Sequence, residues 1–120
     1  MDLSLIRDQM LSLPETTEET PFGPDVLVYK VAGKMFATLS PEEVPPRMNL
    51  KCDPDRALDL RDEHEGIQPG YHMNKRHWNT LVLDDGLPLS LVQELIQHSF
   101  DLVVAGMSAK DRKRLQEAIE

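Results

Sequence analysis

Leu3, Ile6, Met10 and Leu13 recur at spacings of three and four, which puts them on one face of a short helix that Pro14 ends. Residues 16–24 are acidic, proline-containing and aperiodic, and predict a connection. Val26 to Ala32 and Met35 to Leu39 are apolar and β-branched runs separated by Gly33-Lys34, the pattern of a β-hairpin. Pro41, Pro45 and Pro46 then force a loop. Met48, Leu50 and Cys52 alternate with Asn49 and Lys51 as a third strand.

Asp53-Pro54 predicts a helix start: an acid at the N-cap, and a proline at the first position, where its missing N–H costs nothing. This helix should run to about Glu65 and stop at Gly66. Pro69-Gly70 suggests a type II turn with positive φ at Gly70, and His77 to Leu83 resumes as a strand. Asp84-Asp85-Gly86 turns the chain. Leu91, Leu95, Ile96, Phe100, Leu102 and Val103 form the stripe of a long helix from near Pro88. A last helix follows Ser108, with Asp111 three residues on as a capping-box match. Helix, three strands, helix, one or two strands and two helices describe an α+β fold with an antiparallel sheet covered by helices.

Composition adds limits to that outline. The 120 residues, 40% hydrophobic and 28% charged, fit one globular domain over 1–120 without repeats or low-complexity tracts. Asp2 and Asp8 interrupt the N-terminal stretch where a secretion signal needs basic and then apolar residues, and no apolar run is long enough to span a membrane. The expectation is a soluble, cytoplasmic protein. Cys52 is the only cysteine, so no intramolecular disulfide can form, and its strand alternation points it to the core.

The formal net charge of -8 opposes indiscriminate adhesion to nucleic acid or anionic lipid. Its distribution matters more than its sum. Segments 1–20, 53–65 and 84–101 each carry a net -4, whereas 21–52, 66–83 and 102–120 carry +1, +2 and +1. The sharpest reversal is Pro69 to Asn79, PGYHMNKRHWN, which holds two of the four histidines, the only tryptophan and two adjacent cations but no acid.

Lys75 offers phosphate a point charge and Arg76 a planar fork; His72, Asn74 and His77 add hydrogen-bond donors. Lys34 at the hairpin tip and Lys51 on the third strand can extend that surface. The structural reading of the same segment makes Trp78 a core anchor at the start of a strand and Asn74 the holder of a turn. The terminal cations Lys110, Arg112, Lys113 and Arg114 read as a solvated helix face, which joins a phosphate track only if it folds beside the central segment. The histidines and Cys52 lack the spacing of a zinc motif, and no glycine-rich phosphate loop or nucleophile elbow is present. The expectation is a protein with no catalytic residue, no metal and no cofactor.

Several stretches carry a resemblance: Pro21-Phe22-Gly23, Val31 to Ala37, Asn49 to Pro54, Leu60-Arg61, Pro69 to Thr80 and Ser99 to Val103. In that order, over nearly the whole chain, they resemble the MmcQ/YjbR-like family of small bacterial proteins. One departure is Phe100, where the family more often has tyrosine. The resemblance implies an α+β domain with a double-wing arrangement, proposed for the family to bind DNA, and a shape similar to type III secretion chaperones. It carries Lys51, His72, Asn74, Lys75, His77 and Trp78 as motif positions, with no reaction attached.

Three functions follow as expectations. The first is DNA binding, with Lys34, Lys51, His72, Asn74, Lys75, Arg76 and His77 contacting backbone phosphate. The second is a chaperone-like module for a protein partner, which needs an exposed apolar patch or an open sheet edge. The third is a small-ligand site around His72, Asn74 and His77, marked by a closed polar pocket.

Overall fold

Asp2 caps helix α1 (Leu3–Ser12), its carboxylate accepting the Ser4 N–H at 3.0 Å, and Ile6 and Met10 are the buried residues of its inner face. In this computed structural model, which describes residues 1–84 and 86–119, the chain continues through β1 (Thr16–Glu19), β2 (Leu27–Val31), β3 (Lys34–Ser40) and β4 (Arg47–Lys51). Then come α2 (Pro54–Glu63), β5 (Ile67–Pro69), β6 (Trp78–Val82), α3 (Leu89–Ala105) and α4 (Ala109–Ile119). The strands form one antiparallel sheet in the order β1-β2-β3-β4-β6-β5. The helices cover one face of it, giving the α+β layer arrangement that the periodicities indicate.

Three local expectations are corrected. Residues 16–19 form an edge strand, not an aperiodic connection. Thr-Thr-Glu-Glu carries no apolar alternation; pairing with β2 holds it, helped by the Glu18 carboxylate, which accepts from Arg7 of α1 (2.8 Å) and from the Tyr29 hydroxyl. Helix α2 ends at Glu63, two residues early, and the His64 carbonyl accepts the Ile67 N–H (3.1 Å) as the chain bends into β5. Gly70 has no positive φ. Its N–H instead bonds the Trp78 carbonyl (2.9 Å), continuing the β5–β6 ladder, and the left-handed residue is His72, φ 58°. The turn expected at Asp84-Asp85-Gly86 includes Asp85, which lies outside the described residues; Asp84 accepts the Gly86 N–H at 2.8 Å.

A bulge decides what each sheet face carries. Tyr29 pairs with Ala37 but Lys30 pairs with Met35, so Phe36 is an extra residue on β3. Phe36 and Ala37 therefore both join the core, and Met35 passes to the opposite face beside Thr38. Phe36 meets Phe100 of α3 edge-on, ring centroids 5.5 Å apart. Phe100 is fully buried, so the position that departs from the family pattern is used for packing. The fully buried Ser99 hydroxyl donates to the Phe36 carbonyl and accepts the Lys51 N–H (2.9 Å), fastening α3 where the bulge interrupts the β3–β4 ladder.

Helix α4 packs on α3, and Arg114 reaches Glu15 at 2.6 Å. Glu15 precedes β1, at the edge opposite β5, so the terminal cations lie away from residues 70–77. Ser108 caps α4 through the Asp111 N–H (3.2 Å), as the sequence indicates. No helix among the described residues is long and apolar enough to cross a membrane.

Candidate functional site

The face of the sheet turned away from the helices carries a continuous row, Val28–Thr38–Asn49–Thr80–Gln68, each residue paired with the next across four strand junctions. Its middle is a hydrogen-bond chain. Asn49 Nδ2 donates to Thr38 Oγ1 (3.0 Å), Asn49 Oδ1 accepts from the Thr80 hydroxyl, and Thr80 Oγ1 accepts the Tyr71 N–H (2.9 Å). Thr38 and Thr80 are buried, and such polar groups persist in a sheet because each is partnered.

Two connections rise beside this floor and enclose an open cleft of about 540 Å³. From the β1–β2 side come Val26 and Phe22, the latter 72% exposed; from the β5–β6 side come His72, Met73 and Tyr71, the last 62% exposed. Met35, Ser40 and Glu43 complete the lining, and Glu43 is paired with Arg47 (3.5 Å). No lysine or arginine is among the lining residues.

The β5–β6 connection is held by its own hydrogen bonds. The Met73 N–H closes a turn onto the Gly70 carbonyl (3.4 Å), with His72 in the left-handed region, and the Tyr71 and His72 rings lie 4.0 Å apart. Asn74 Oδ1 accepts the Arg76 N–H (2.9 Å), and its carbonyl accepts the His77 and Trp78 N–H groups (3.2 and 3.0 Å). Lys75 Nζ donates to the Gly70 carbonyl at 3.1 Å. A side chain at Gly70 would bring its Cβ to 2.8 Å from Trp78 Cβ, so only glycine fits there.

Arg61 of α2 locks this connection from below. Its Nε donates to Asn79 Oδ1 (2.7 Å), and its Nη2 donates to the carbonyls of Lys75 and Trp78. Buried Asn79 in turn donates to the Ala57 carbonyl (3.4 Å). The guanidinium fork thus ties α2, β6 and the connection together with no carboxylate among the described residues.

The seven sequence-predicted residues share one end of the sheet. Lys34 starts β3, Lys51 ends β4 opposite Trp78, and residues 70–77 join β5 to β6 at that same end. They do not form one surface. His72 lines the open cleft, whereas Lys75 and Arg76 line a separate depression of about 440 Å³ with Pro54, Asp55, Leu58 and Arg61. Asn74 is exposed and holds the turn; His77 is half-buried, its carbonyl accepting the Cys52 N–H (2.8 Å). Lys34 is exposed, and Lys51 lies half-buried on the open face. Trp78 begins β6 as expected but is half-buried on that face beside Lys51, outside the buried core.

Cys52 is buried in the core, and burial pushes its thiol up to about 11, far from a reactive thiolate at neutral pH. Among the described residues, no three His, Cys, Asp or Glu side chains are grouped so as to hold a metal ion. Sequence reasoning gave no role to Phe22, Thr38, Asn49, Tyr71, Thr80 or Arg61. The available signal was an aromatic residue set in each of two proline- and glycine-marked loops, where packing alone gives no reason for one.

A model of the YjbR family matches residues 11–102. The chain is 39% identical over 106 residues to the uncharacterized protein YbdF of Escherichia coli O157:H7, covering 88% of this chain and 87% of that one. It is 36% identical over 86 residues to the uncharacterized protein YjbR of Escherichia coli K12, covering 72% and 73%. Among solved structures, the Deinococcus radiodurans protein DR2400, a DUF419 domain, superposes with a TM-score of 0.89 at 38% identity, covering 95% of this chain and 87% of that one. A Pseudomonas syringae crystal structure gives 0.74 at 29% identity, covering 85% and 98%.

Proposed function

The chain belongs to the YjbR family, and we propose that it binds DNA through the cations at one end of its sheet, as a binding protein without a catalytic step. One observation carries the reading. Arg7, Lys30, Arg47, Arg56 and Arg114 each pair with a carboxylate; of the eight other lysines and arginines, which have none among the described residues, Lys34, Lys51, Lys75 and Arg76 stand at one end of the sheet. In a chain of net charge -8, four unneutralised cations at one sheet end make a local attraction for phosphate within a repulsive whole. The compartment that goes with this reading is the cytoplasm, where bacterial DNA lies.

The chaperone-like alternative has an exposed apolar patch in Phe22 and Tyr71 of the cleft but not the open sheet edge. Both sheet edges are short: β1 has four residues, with Glu19 paired to Lys30, and β5 has three, ending in Pro69, so neither presents a long ladder to a partner.

Fluorescence anisotropy with labelled single- and double-stranded DNA at low salt tests the proposal. Neutralising about three to four phosphates gives a log–log salt slope of roughly -3, and Lys75→Ala with Arg76→Ala makes that slope shallower by about two. Absence of binding to either form at low salt overturns it.

A further inference from the structure

The geometry points to a nucleobase site: the open-face cleft takes one unstacked base of a single strand between Phe22 and Tyr71, with Thr38 and Asn49 at the base edge. The strand context rests on the DNA-binding reading above; the base site stands on its own observations.

Two large aromatic side chains from separate connections, Phe22 and Tyr71, remain more than half exposed and line the same cleft. Each offers a flat face in contact with water, and an aromatic heterocycle is the ligand class that covers both at once by stacking. The floor supplies the edge chemistry. Asn49 Nδ2 has one hydrogen on Thr38 and a second with no partner among the described residues; the Thr38 hydroxyl accepts that bond and keeps its own proton free to donate. Ser40 adds another hydroxyl. Donors on the sheet face that floors the cleft match the carbonyl and ring-nitrogen acceptors of an unpaired base.

Charge separates the base from its phosphate. The cleft lining has no lysine or arginine, and its one carboxylate, Glu43, is paired with Arg47, so the lining suits an uncharged ring. Lys51 lies two residues along β4 from Asn49 on the same face, about 7 Å away at the rise of a strand. A base seated on Asn49 therefore has Lys51 within reach of its phosphate, while Lys75 and Arg76 lie in the separate depression beside α2. The cleft, at about 540 Å³, has room for the base and its sugar. Preorganisation supports the same assignment: the Tyr71 N–H is fixed to Thr80 and its ring to His72, whose left-handed backbone is held by the Gly70–Met73 turn. A duplex cannot use the site without flipping a base, so the predicted preference is for single strands.

The test compares a mixed-sequence single strand, the matching duplex and an abasic strand of equal phosphate count by anisotropy, with wild type and the Phe22→Ala, Tyr71→Ala double variant. Both side chains are mainly exposed, and circular dichroism confirms that the variant is folded. The intact strand should bind about ten- to a hundred-fold tighter than the abasic one, and the double variant should remove that advantage while leaving the salt slope unchanged. Equal binding of intact and abasic strands, or an unaltered double variant, overturns the base site and leaves the cationic reading standing. If no strand binds wild type, the DNA-binding reading fails, and titration of free adenosine and thymidine by amide NMR decides the cleft alone. Shifts confined to Asn49, Tyr71, His72 and their strand neighbours uphold it; a spectrum without shifts overturns it, as does uptake of a tryptophan-containing peptide at the cleft in place of either nucleoside.

Discussion

Arg61 shows how a single side chain governs a segment it does not belong to. Its fork satisfies Asn79, the Trp78 carbonyl at the start of β6 and the Lys75 carbonyl of the β5–β6 connection, so the placement of Tyr71 and His72 above the sheet depends on a cation one helix away. Removing it strands the buried Asn79 acceptor and frees the connection. Arg61→Ala should cost about 1.5–3 kcal/mol in urea denaturation, the range for hydrogen bonds to a charged group. Arg61→Lys should recover little, because an ammonium cannot reproduce the planar, multi-carbonyl fork. A lysine variant as stable as wild type would show that charge alone matters there. The sequence displays Arg61 as one more helical cation; only the fold reveals that its partners are backbone carbonyls 14 and 17 residues later. Cys52 is the opposite case, since its alternation with Asn49 and Lys51 is by itself enough to assign it to the core, where it lies.

At the scale of elements, legibility followed the strength of local signals. Helix α1, the β2–β3 hairpin, β4, the capped start of α2 and the stripe of α3 each combine periodicity with a start or stop residue, and each formed where those signals lie. Strands β1 and β5 lack such signals because neighbouring strands and an ion pair stabilise them, and those contacts are non-local. The β3 bulge is similarly invisible in Met35-Phe36-Ala37, yet it sets which residues face the cleft. Ser99 is the element-level counterpart of that bulge: its hydroxyl completes the Phe36 carbonyl and the Lys51 N–H. Ser99→Ala leaves both groups buried without a partner, and a loss of about 2–6 kcal/mol is expected at about 1–3 kcal/mol for each such group. Amide exchange gives a sharper check, because the Lys51 N–H should lose protection more than its β4 neighbours. Uniform change along β4 would mean that Ser99 only fills space.

For the whole molecule, the informative quantity is how charge is arranged, and the sequence exposed part of this. Segment charges located the acid-free stretch, and the fold brought Lys34 and Lys51 to the same sheet end, but the division of that stretch between cleft and helix flank required the turn at His72. The arrangement also fixes the response to acid. His98 accepts the Asp53 N–H through Nε2 (3.2 Å), and burial, then the Arg56 charge, holds its protonation below the ordinary range near 6.5. The unfolded chain binds that proton more readily, so the contribution is complete above 6.5 and is lost as pH falls through the lowered folded value. A second loss follows at lower pH. Hydrogen bonds from Arg7 to Glu18 and from Arg114 to Glu15 and Asp111 depress these carboxyls, so their contributions are present above the ordinary carboxyl range, near 4, and vanish as pH falls through the depressed values. Melting temperature should therefore decline in two stages on acidification, the first beginning near pH 6.5 and the second below about 4.5. His98→Gln should flatten only the first stage. Glu18→Gln should flatten only the second, because Glu18 alone among these carboxylates also receives the Tyr29 hydroxyl and is partly withdrawn from solvent. A single transition unaffected by His98→Gln would assign the upper stage to relief or growth of net charge across the molecule instead of to the imidazole that closes the start of α2.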